Sequence, residues 1–148
     1  MTTPDEVVQY ARSWMGTRWI HQGRSPLGID CVGLLVMIVN EFGLDGKGTD
    51  MLGYRRTADV RFLRHIKKHS DPVRPLRPVH GAVGIFNDTN MPCHVGVFAV
   101  DSDTGTVTVI HAEAFPAQRV HEQLFDEGNM PMSGRVVDIR YFRGVDYV

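Results

Sequence analysis

The pattern of apolar and polar residues divides the chain into a helical first part and a strand-rich second part. In the first part, apolar residues recur every three or four positions, the spacing that places side chains on one face of an α-helix. The predicted helices cover residues 4–15, 30–42 and 57–69. From residue 82 onward, apolar and polar positions alternate in short runs, which is typical of β-strands. The predicted strands cover residues 82–86, 94–100, 107–110, 117–121 and 135–142.

Capping and turn signals support several of these boundaries. Thr3 and Glu6 form a capping box before the first helix, and Gly43 is placed to end the second one. Residues 101–105 contain the Asp and Gly residues that favour a hairpin turn, and the Pro-rich residues 72–78 are interpreted as a short connector. Helices followed by an antiparallel sheet predict an α+β domain.

Length and charge narrow the classes of function. The chain has 148 residues and is 43% hydrophobic, which fits one domain over residues 1–148. Its 16 basic and 17 acidic side chains leave a net charge of −1, so no overall basic charge favours nucleic acid or an anionic membrane. No apolar run reaches the ~18 residues of a membrane span, and the first residues lack the basic and apolar regions of a secretory signal. We therefore expect synthesis in the cytoplasm and no nucleic-acid partner.

Cys31 is the candidate nucleophile. It falls in the first turn of the second predicted helix, where backbone amides and the positive end of the helix dipole stabilise a thiolate. Its own amide is suited to an oxyanion hole, and Gly33 leaves room for a substrate backbone to approach. The alternative is that Cys31 is a small buried side chain without chemistry.

Two histidines on predicted strands are candidate partners for this cysteine. His94 begins one strand and His111 ends the next. A hairpin centred near residue 103 pairs position 94 with a position near 112, which brings the two histidines to one edge of the sheet. A cysteine nucleophile needs a base and a group that orients the base, and this pair offers both. Either histidine taken alone is more typical of a surface position.

Other residues with possible chemistry are interpreted as structural. Cys93 should point to the opposite face of its strand from His94, and no disulfide between Cys31 and Cys93 is expected. His65 and His69 stand four residues apart on the third helix, a spacing suited to zinc, but a solvated helix face is favoured because further ligands are not evident. No metal or cofactor is predicted.

Several motifs together resemble the NlpC/P60 cysteine peptidases. They are Asp-Cys-x-Gly-Leu at residues 30–34, Gly-Ala-Val-Gly-Ile-Phe at 81–86, His-Val-Gly-Val-Phe at 94–98 and Ile-His-Ala at 110–112. The resemblance implies a papain-like α+β fold in which the cysteine begins a helix packed on an antiparallel sheet. It also implies that Cys31 is the nucleophile, His94 the base and His111 the orienting residue.

The segment before the cysteine motif resembles a particular branch of that family. Residues 16–24, Gly-Thr-Arg-Trp-Ile-His-Gln-Gly-Arg, are similar to peptidases encoded by tailed phages and gene-transfer particles. Trp19 stands where secreted members usually have a tyrosine near the oxyanion hole, so His21 or Gln22 is expected to donate there instead. Asp30 is assigned to capping the helix beside this group, because a carboxylate raises the pKa of a neighbouring thiol.

The resemblance implies a cysteine endopeptidase acting on peptidoglycan stem peptides, next to D-glutamate linked to diaminopimelate. Its partners would be bacterial peptidoglycan and the hub or tip proteins of a phage-like tail, and it would act from the virion tail on the wall of a target cell. Residues 43–56 and 115–133 are expected to line the substrate pocket. Two alternatives stay open: an amidase or acyltransferase of the same superfamily, and a non-enzymatic tail-tip protein that retains the fold.

Overall fold

The computed structural model describes residues 1–50, 60–88, 91–126 and 136–148. At residues 60, 87–88 and 91–93 it describes the backbone alone. The helices in these ranges are α1 (Pro4–Ser13), α2 (Cys31–Phe42) and α3 (Val60–Lys68). The strands are β1 (Arg24–Ser25), β2 (Gly28–Ile29), β3 (Ser70–Pro72), β4 (Val83–Asp88), β5 (Met91–Val100), β6 (Val107–Glu113), β7 (Arg119–Leu124) and β8 (Val136–Phe142).

The N-terminal capping box is present as predicted. The backbone amide of Glu6 donates to the Thr3 hydroxyl at 3.2 Å, and the Glu6 carboxylate accepts from the Thr3 amide at 3.0 Å. The predicted end at residue 15 is wrong by two residues, because the Trp14 amide bonds to the Ala11 carbonyl, three residues back rather than four. The helix buries its apolar stripe against α2 and the sheet.

An antiparallel sheet with the strand order β3-β8-β4-β5-β6-β7 forms the second layer. Its apolar residues alternate between two faces, as strand geometry requires. One face packs against the helices and includes Val95, Val97 and Ile110. The other face carries a smaller apolar cluster that includes Phe86 and Phe98. This arrangement confirms the predicted α+β class.

The hairpin between β5 and β6 has nearly the predicted register. Val97 pairs with Ile110 and Val100 with Val107, so the turn is centred between residues 103 and 104. The Asp101 carboxylate accepts from the amides of Asp103 and Thr104, which is why an aspartate suits this turn.

Other predicted boundaries need correction. Strand β7 covers Arg119–Leu124 rather than 117–121, because the chain first makes a turn in which the Ala117 amide donates to Glu113 Oε1 at 3.2 Å. Strand β6 continues to Glu113 instead of stopping at residue 110, since β7 pairs with it to that point. Strand β3 was not predicted; its last residue, Pro72, is the first residue of the segment assigned to a connector, and the strand pairs with β8.

The remaining predicted segments overlap residues that are not described. Helix α3 runs to Lys68 instead of 69, and the first residues of its predicted range, 57–59, lie outside the described residues. Parts of the two predicted pocket-lining segments, 51–56 and 127–133, also lie outside them. The second of those segments contains β7 and is therefore not wholly a loop.

Candidate active site

Asp30 is the N-cap of α2, as predicted. Its Oδ1 accepts from the Gly33 amide at 2.8 Å, and its Oδ2 accepts from the Gln22 amide at 2.7 Å. Arg24 adds an ion pair at 3.0 Å, and Asp30 is 3% exposed. One buried carboxylate therefore holds the preceding loop and the first turn of the helix in a fixed relation, directly beside Cys31.

Gly33 is required for a different reason from the one expected. A Cβ at this position would lie 2.4 Å from the Gly23 carbonyl oxygen and 2.7 Å from the Ile29 side chain. The space beside the helix is thus occupied by the protein's own loop and not reserved for a substrate backbone. The glycine lets the loop that carries Gln22 pack directly on α2.

Cys31 has a free thiol that packs against the main core. Burial, and then the neighbouring Asp30 carboxylate, raise the pKa of the Cys31 thiol to about 12. The backbone amides of Val95 and Val32 and the Arg24 guanidinium lower it by smaller amounts. The predicted stabilisation of a thiolate by the helix start is outweighed by burial, which keeps the resting thiol protonated at neutral pH. The side chain of Cys93 lies outside the described residues.

The contact with the Val95 amide places the Cys31 sulfur against β5, one residue along the chain from His94. The ring of His94 reaches His111 on β6. Its Nε2 lies 2.8 Å from Nδ1 of His111, and the two rings meet edge to face. The predicted meeting of the two histidines at one place in the sheet is confirmed.

Gln123 on β7 extends this chain of side chains. Its Oε1 lies 3.0 Å from Nε2 of His111, which is completely buried. With the Gln123 amide assigned so that its oxygen faces the ring, His111 Nε2 carries a hydrogen, because a carbonyl oxygen can only accept. Burial, and then the neighbouring His94 and His121, hold the pKa of His111 well below its usual range, so the ring is neutral and its Nδ1 is an acceptor.

The tautomer of His94 follows from that of His111. Since His111 Nδ1 accepts, His94 Nε2 must donate, and a neutral His94 ring then has an unprotonated Nδ1. This nitrogen is the one able to take a proton. Gln123 is two hydrogen bonds away from His94, and it therefore determines which nitrogen of His94 can act as a base.

Gly96 makes room for this arrangement. A Cβ on Gly96 would lie 3.0 Å from the Cβ of His111 and 2.6 Å from the Val109 side chain. Any larger residue would push β6 side chains out of line. The glycine in the His-Val-Gly motif is thus explained by the close packing of the His111 side chain across β5.

The remaining predicted site residues lie in the loop before α2. Trp19 and His21 stack with ring centroids 6.4 Å apart, and Trp19 packs against the main core. The Trp19 amide donates to the Gln118 carbonyl, and Gln22 reaches Asp30 through its backbone. The loop is therefore tied to both the helix start and the segment before β7, while oxyanion roles for Trp19, His21 and Gln22 stay predictions.

Three residues on the same face of β6 and β7 were missed by sequence analysis: Gln123, His121 and Glu113. In the observed register His111 lies opposite His121, and Val109 lies opposite Gln123. The register arithmetic used for the first hairpin would have found them if β7 had been predicted at its true position. The ligand atoms of His111, Glu113 and His121 lie within 4.8 Å of one another, a grouping able to hold a metal ion.

The histidine pair on α3 has a different environment. The rings of His65 and His69 are 5.0 Å apart, and His69 Nδ1 lies 3.2 Å from the Asp45 carboxylate.

In the described part of the chain no helix is both long and apolar enough to cross a membrane.

Known structures share this fold. Three similar ones are NlpC1 from Trichomonas vaginalis, an NlpC/P60 family protein from Bacillus cereus, and the NlpC/p60 domain of the peptidoglycan hydrolase SagA. Their TM-scores are 0.66, 0.65 and 0.54, with sequence identities of 22%, 17% and 18%. The sequence matches no protein-family model and no curated protein.

The matches cover nearly all of this chain but differ in how much of the other chain they use. The alignments span 94%, 95% and 83% of the present sequence, and 44%, 40% and 90% of the three structures in the same order. The chain thus spans less than half of the first two proteins. With helices packed on an antiparallel sheet and a cysteine at the start of α2, it has the fold of the NlpC/P60 structures.

Proposed function

We propose that this protein is a cysteine peptidase that hydrolyses peptidoglycan stem peptides, with Cys31, His94 and His111 as its catalytic group. The observation that carries the proposal is the hydrogen-bonded series from His94 through His111 to Gln123, which leaves Nδ1 of His94 as the basic nitrogen. The fold shared with NlpC/P60 structures, one of them a domain of a peptidoglycan hydrolase, supports the choice of substrate.

Proton transfer begins the reaction. Since the pKa of Cys31 is about 12 at rest, the thiol needs a base at the moment of attack. His94 Nδ1 takes the thiol proton while Sγ bonds to the scissile carbonyl carbon. The positive charge on the His94 ring is stabilised through its Nε2–H bond to the neutral His111 ring. Gln123 holds His111 in the accepting tautomer and so acts as a positioning residue.

The tetrahedral intermediate carries its negative charge on the former carbonyl oxygen. We assign the Cys31 backbone amide and the loop containing His21 and Gln22 to this oxyanion, with Trp19 shaping the loop. When the intermediate collapses, the C–N bond breaks and His94 returns its proton to the leaving amine. A thioester with Cys31 remains. Water then attacks this thioester, His94 takes a proton from the water, and the released thiol regains a proton from His94.

The proposal extends to the bond and the setting. The bond is the one after D-glutamate in a stem containing diaminopimelate, and the enzyme acts from the tip of a phage-like tail on the wall of a target cell. The similarity of residues 16–24 to peptidases of tailed phages supports this setting. Tail hub or tip proteins are the proposed partners.

Digestion of purified diaminopimelate-type peptidoglycan tests the reaction. The wild type should release stem-peptide fragments identified by mass spectrometry, and Cys31→Ala should release none. Circular dichroism of the variant controls for folding. Release of intact stem peptides by cleavage at the muramoyl–alanine bond would replace the endopeptidase with an amidase. Absence of any product from the wild type, alone or with tail-tip proteins, would favour a non-enzymatic role.

A further inference from the structure

A cluster of metal-ligand side chains lies beside the proposed catalytic group. His111 and Glu113 lie two residues apart on β6, and His121 lies opposite His111 on β7, so all three project from the same face of the sheet. Their ligand atoms are within 4.8 Å of one another. Neither Glu113 nor His121 has a part in the proposed reaction.

Two buried polar atoms in this cluster have unmet bonding capacity. Glu113 is 3% exposed, and within the described part of the chain its Oε2 has no hydrogen-bond partner. The buried Nε2 of His121 likewise makes no hydrogen bond to any described residue, although it lies 3.4 Å from Glu113 Oε1. Buried polar atoms are costly when they are unsatisfied. A cation bound between the carboxylate and the imidazole would give the His121 nitrogen a partner and would offset the buried charge of Glu113.

The distance between His121 and Glu113 suits a small transition metal. Zn²⁺ binds imidazole nitrogen and carboxylate oxygen at about 2.0–2.2 Å, so two ligands of a tetrahedral ion lie about 3.3–3.5 Å apart. The 3.4 Å between His121 Nε2 and Glu113 Oε1 falls in this range. Two histidines and one glutamate also make a ligand set that zinc uses in proteins while keeping a fourth position for water.

His111, the third ligand, belongs to both this cluster and the catalytic group. Both ring nitrogens of His111 are engaged, one with His94 and the other with Gln123. A metal bound to either nitrogen must therefore displace one of these two hydrogen bonds. If the bond to His94 is lost, the base His94 loses its partner. If the bond to Gln123 is lost, no acceptor holds the hydrogen on Nε2 of His111, and the tautomer of His94 is no longer fixed. Metal binding and the orienting role of His111 are mutually exclusive.

We propose that His111, Glu113 and His121 form a site for a divalent transition metal, with Zn²⁺ as the preferred ion, and that the bound ion inhibits the enzyme by withdrawing His111. The binding is independent of the proposed function, whereas the inhibition rests on it. Glu113 also has a structural role, since its Oε1 accepts from the Ala117 amide. The variant Glu113→Gln retains that acceptor and removes the charge.

Zinc binding is measured on the full chain carrying Cys31→Ala, so that the thiol is not a ligand. A chromophoric chelator competes for Zn²⁺, and Co²⁺ substituted for Zn²⁺ reports tetrahedral geometry through its visible absorption. One equivalent of metal should bind, and Glu113→Gln and His121→Gln should each weaken binding at least about tenfold, because even the loss of a residue that only supports a metal ligand costs about 10- to 100-fold in affinity. The matched control, His65→Gln on α3, should leave the affinity unchanged. Thermal melting of every variant checks folding.

Inhibition is measured separately on proteins that keep Cys31. Zn²⁺ should suppress peptidoglycan cleavage by the wild type, and His121→Gln should need at least about tenfold more Zn²⁺ for the same fractional loss. No stoichiometric binding, or binding that both ligand variants leave intact, would overturn the site. Binding that is lost in His121→Gln while inhibition remains would overturn the regulatory effect. If no cleavage occurs at all, the proposed function fails, and the binding data still decide the site.

Discussion

Replacement of Gln123 by methionine should reduce catalysis while the substrate still binds. The change keeps the length of the side chain and removes the oxygen that lies 3.0 Å from His111 Nε2. His111 is completely buried, so water is not available to replace this acceptor. The ring regains a partner by moving its hydrogen to Nδ1, where it donates to His94. His94 then carries its own hydrogen on Nδ1 and cannot accept the thiol proton.

The magnitude follows from the cost of the lost acceptor. A buried donor left without a partner is destabilised by about 1–3 kcal/mol. If the present tautomer of His111 becomes less stable by this amount, kcat falls by about 5- to 150-fold, because each factor of ten corresponds to about 1.4 kcal/mol. The KM for a defined stem peptide should change little, because Gln123 acts through its hydrogen bond to His111 and has no assigned contact with substrate.

A matched variant separates positioning from packing. Gln123→Glu keeps an accepting oxygen at the same place and should retain most of kcat, whereas Gln123→Met should not. Steady-state kinetics on a purified muropeptide give kcat and KM, and urea unfolding gives the free energy of unfolding for each variant. A positioning role for Gln123 is ruled out if Gln123→Met keeps the wild-type kcat, or if both variants lose kcat equally and in proportion to their loss of stability.

Three further perturbations test other parts of the account. Gly33→Ala should lower the free energy of unfolding by about 1–3 kcal/mol in urea, since the added Cβ meets the Gly23 carbonyl at 2.4 Å; wild-type stability would contradict the packing. The hydrogen bond from Arg12 lowers the pKa of Glu122. The pair therefore stabilises the folded state at pH values above the ordinary carboxyl pKa, and this stability is lost as the pH falls through the lowered pKa. Arg12→Met should therefore cost about 0.5–1 kcal/mol at pH 7 and progressively less below about pH 4.5, after allowance for solvent screening, and a pH-independent difference would count against the ion pair. Without substrate, alkylation of Cys31 by iodoacetamide should still be rising at pH 10, because its pKa is about 12; a plateau reached below pH 8 would show a resting thiolate instead.

Local signals predicted the parts of the fold that depend on neighbouring residues. The capping box at Thr3 and the cap at Asp30 need side chains only three positions apart, so the sequence displays them directly. The turn at residues 101–105 determined the register of β5 on β6, and that register was enough to bring His94 and His111 together.

Features that depend on tertiary packing were not predictable in this way. The position of β7 is determined by the turn held by Glu113 and Ala117, and its misplacement concealed Gln123 and His121. The thiol pKa depends on how deeply α2 is packed against β5, which no motif records. Gly33 was predicted to matter, but its role toward the Gly23 carbonyl appears only once the loop is folded.

In the proposed reaction, Cys31 attacks the stem peptide and carries its acyl half. Acid quenching during turnover of a defined muropeptide, followed by mass spectrometry of the intact protein and its peptides, measures this directly. We expect a thioester on the peptide containing Cys31, with a mass increase equal to the N-terminal fragment of the substrate, and no such adduct in His94→Ala. Cleavage that proceeds in Cys31→Ala, or an acyl group carried by a different residue, would contradict it.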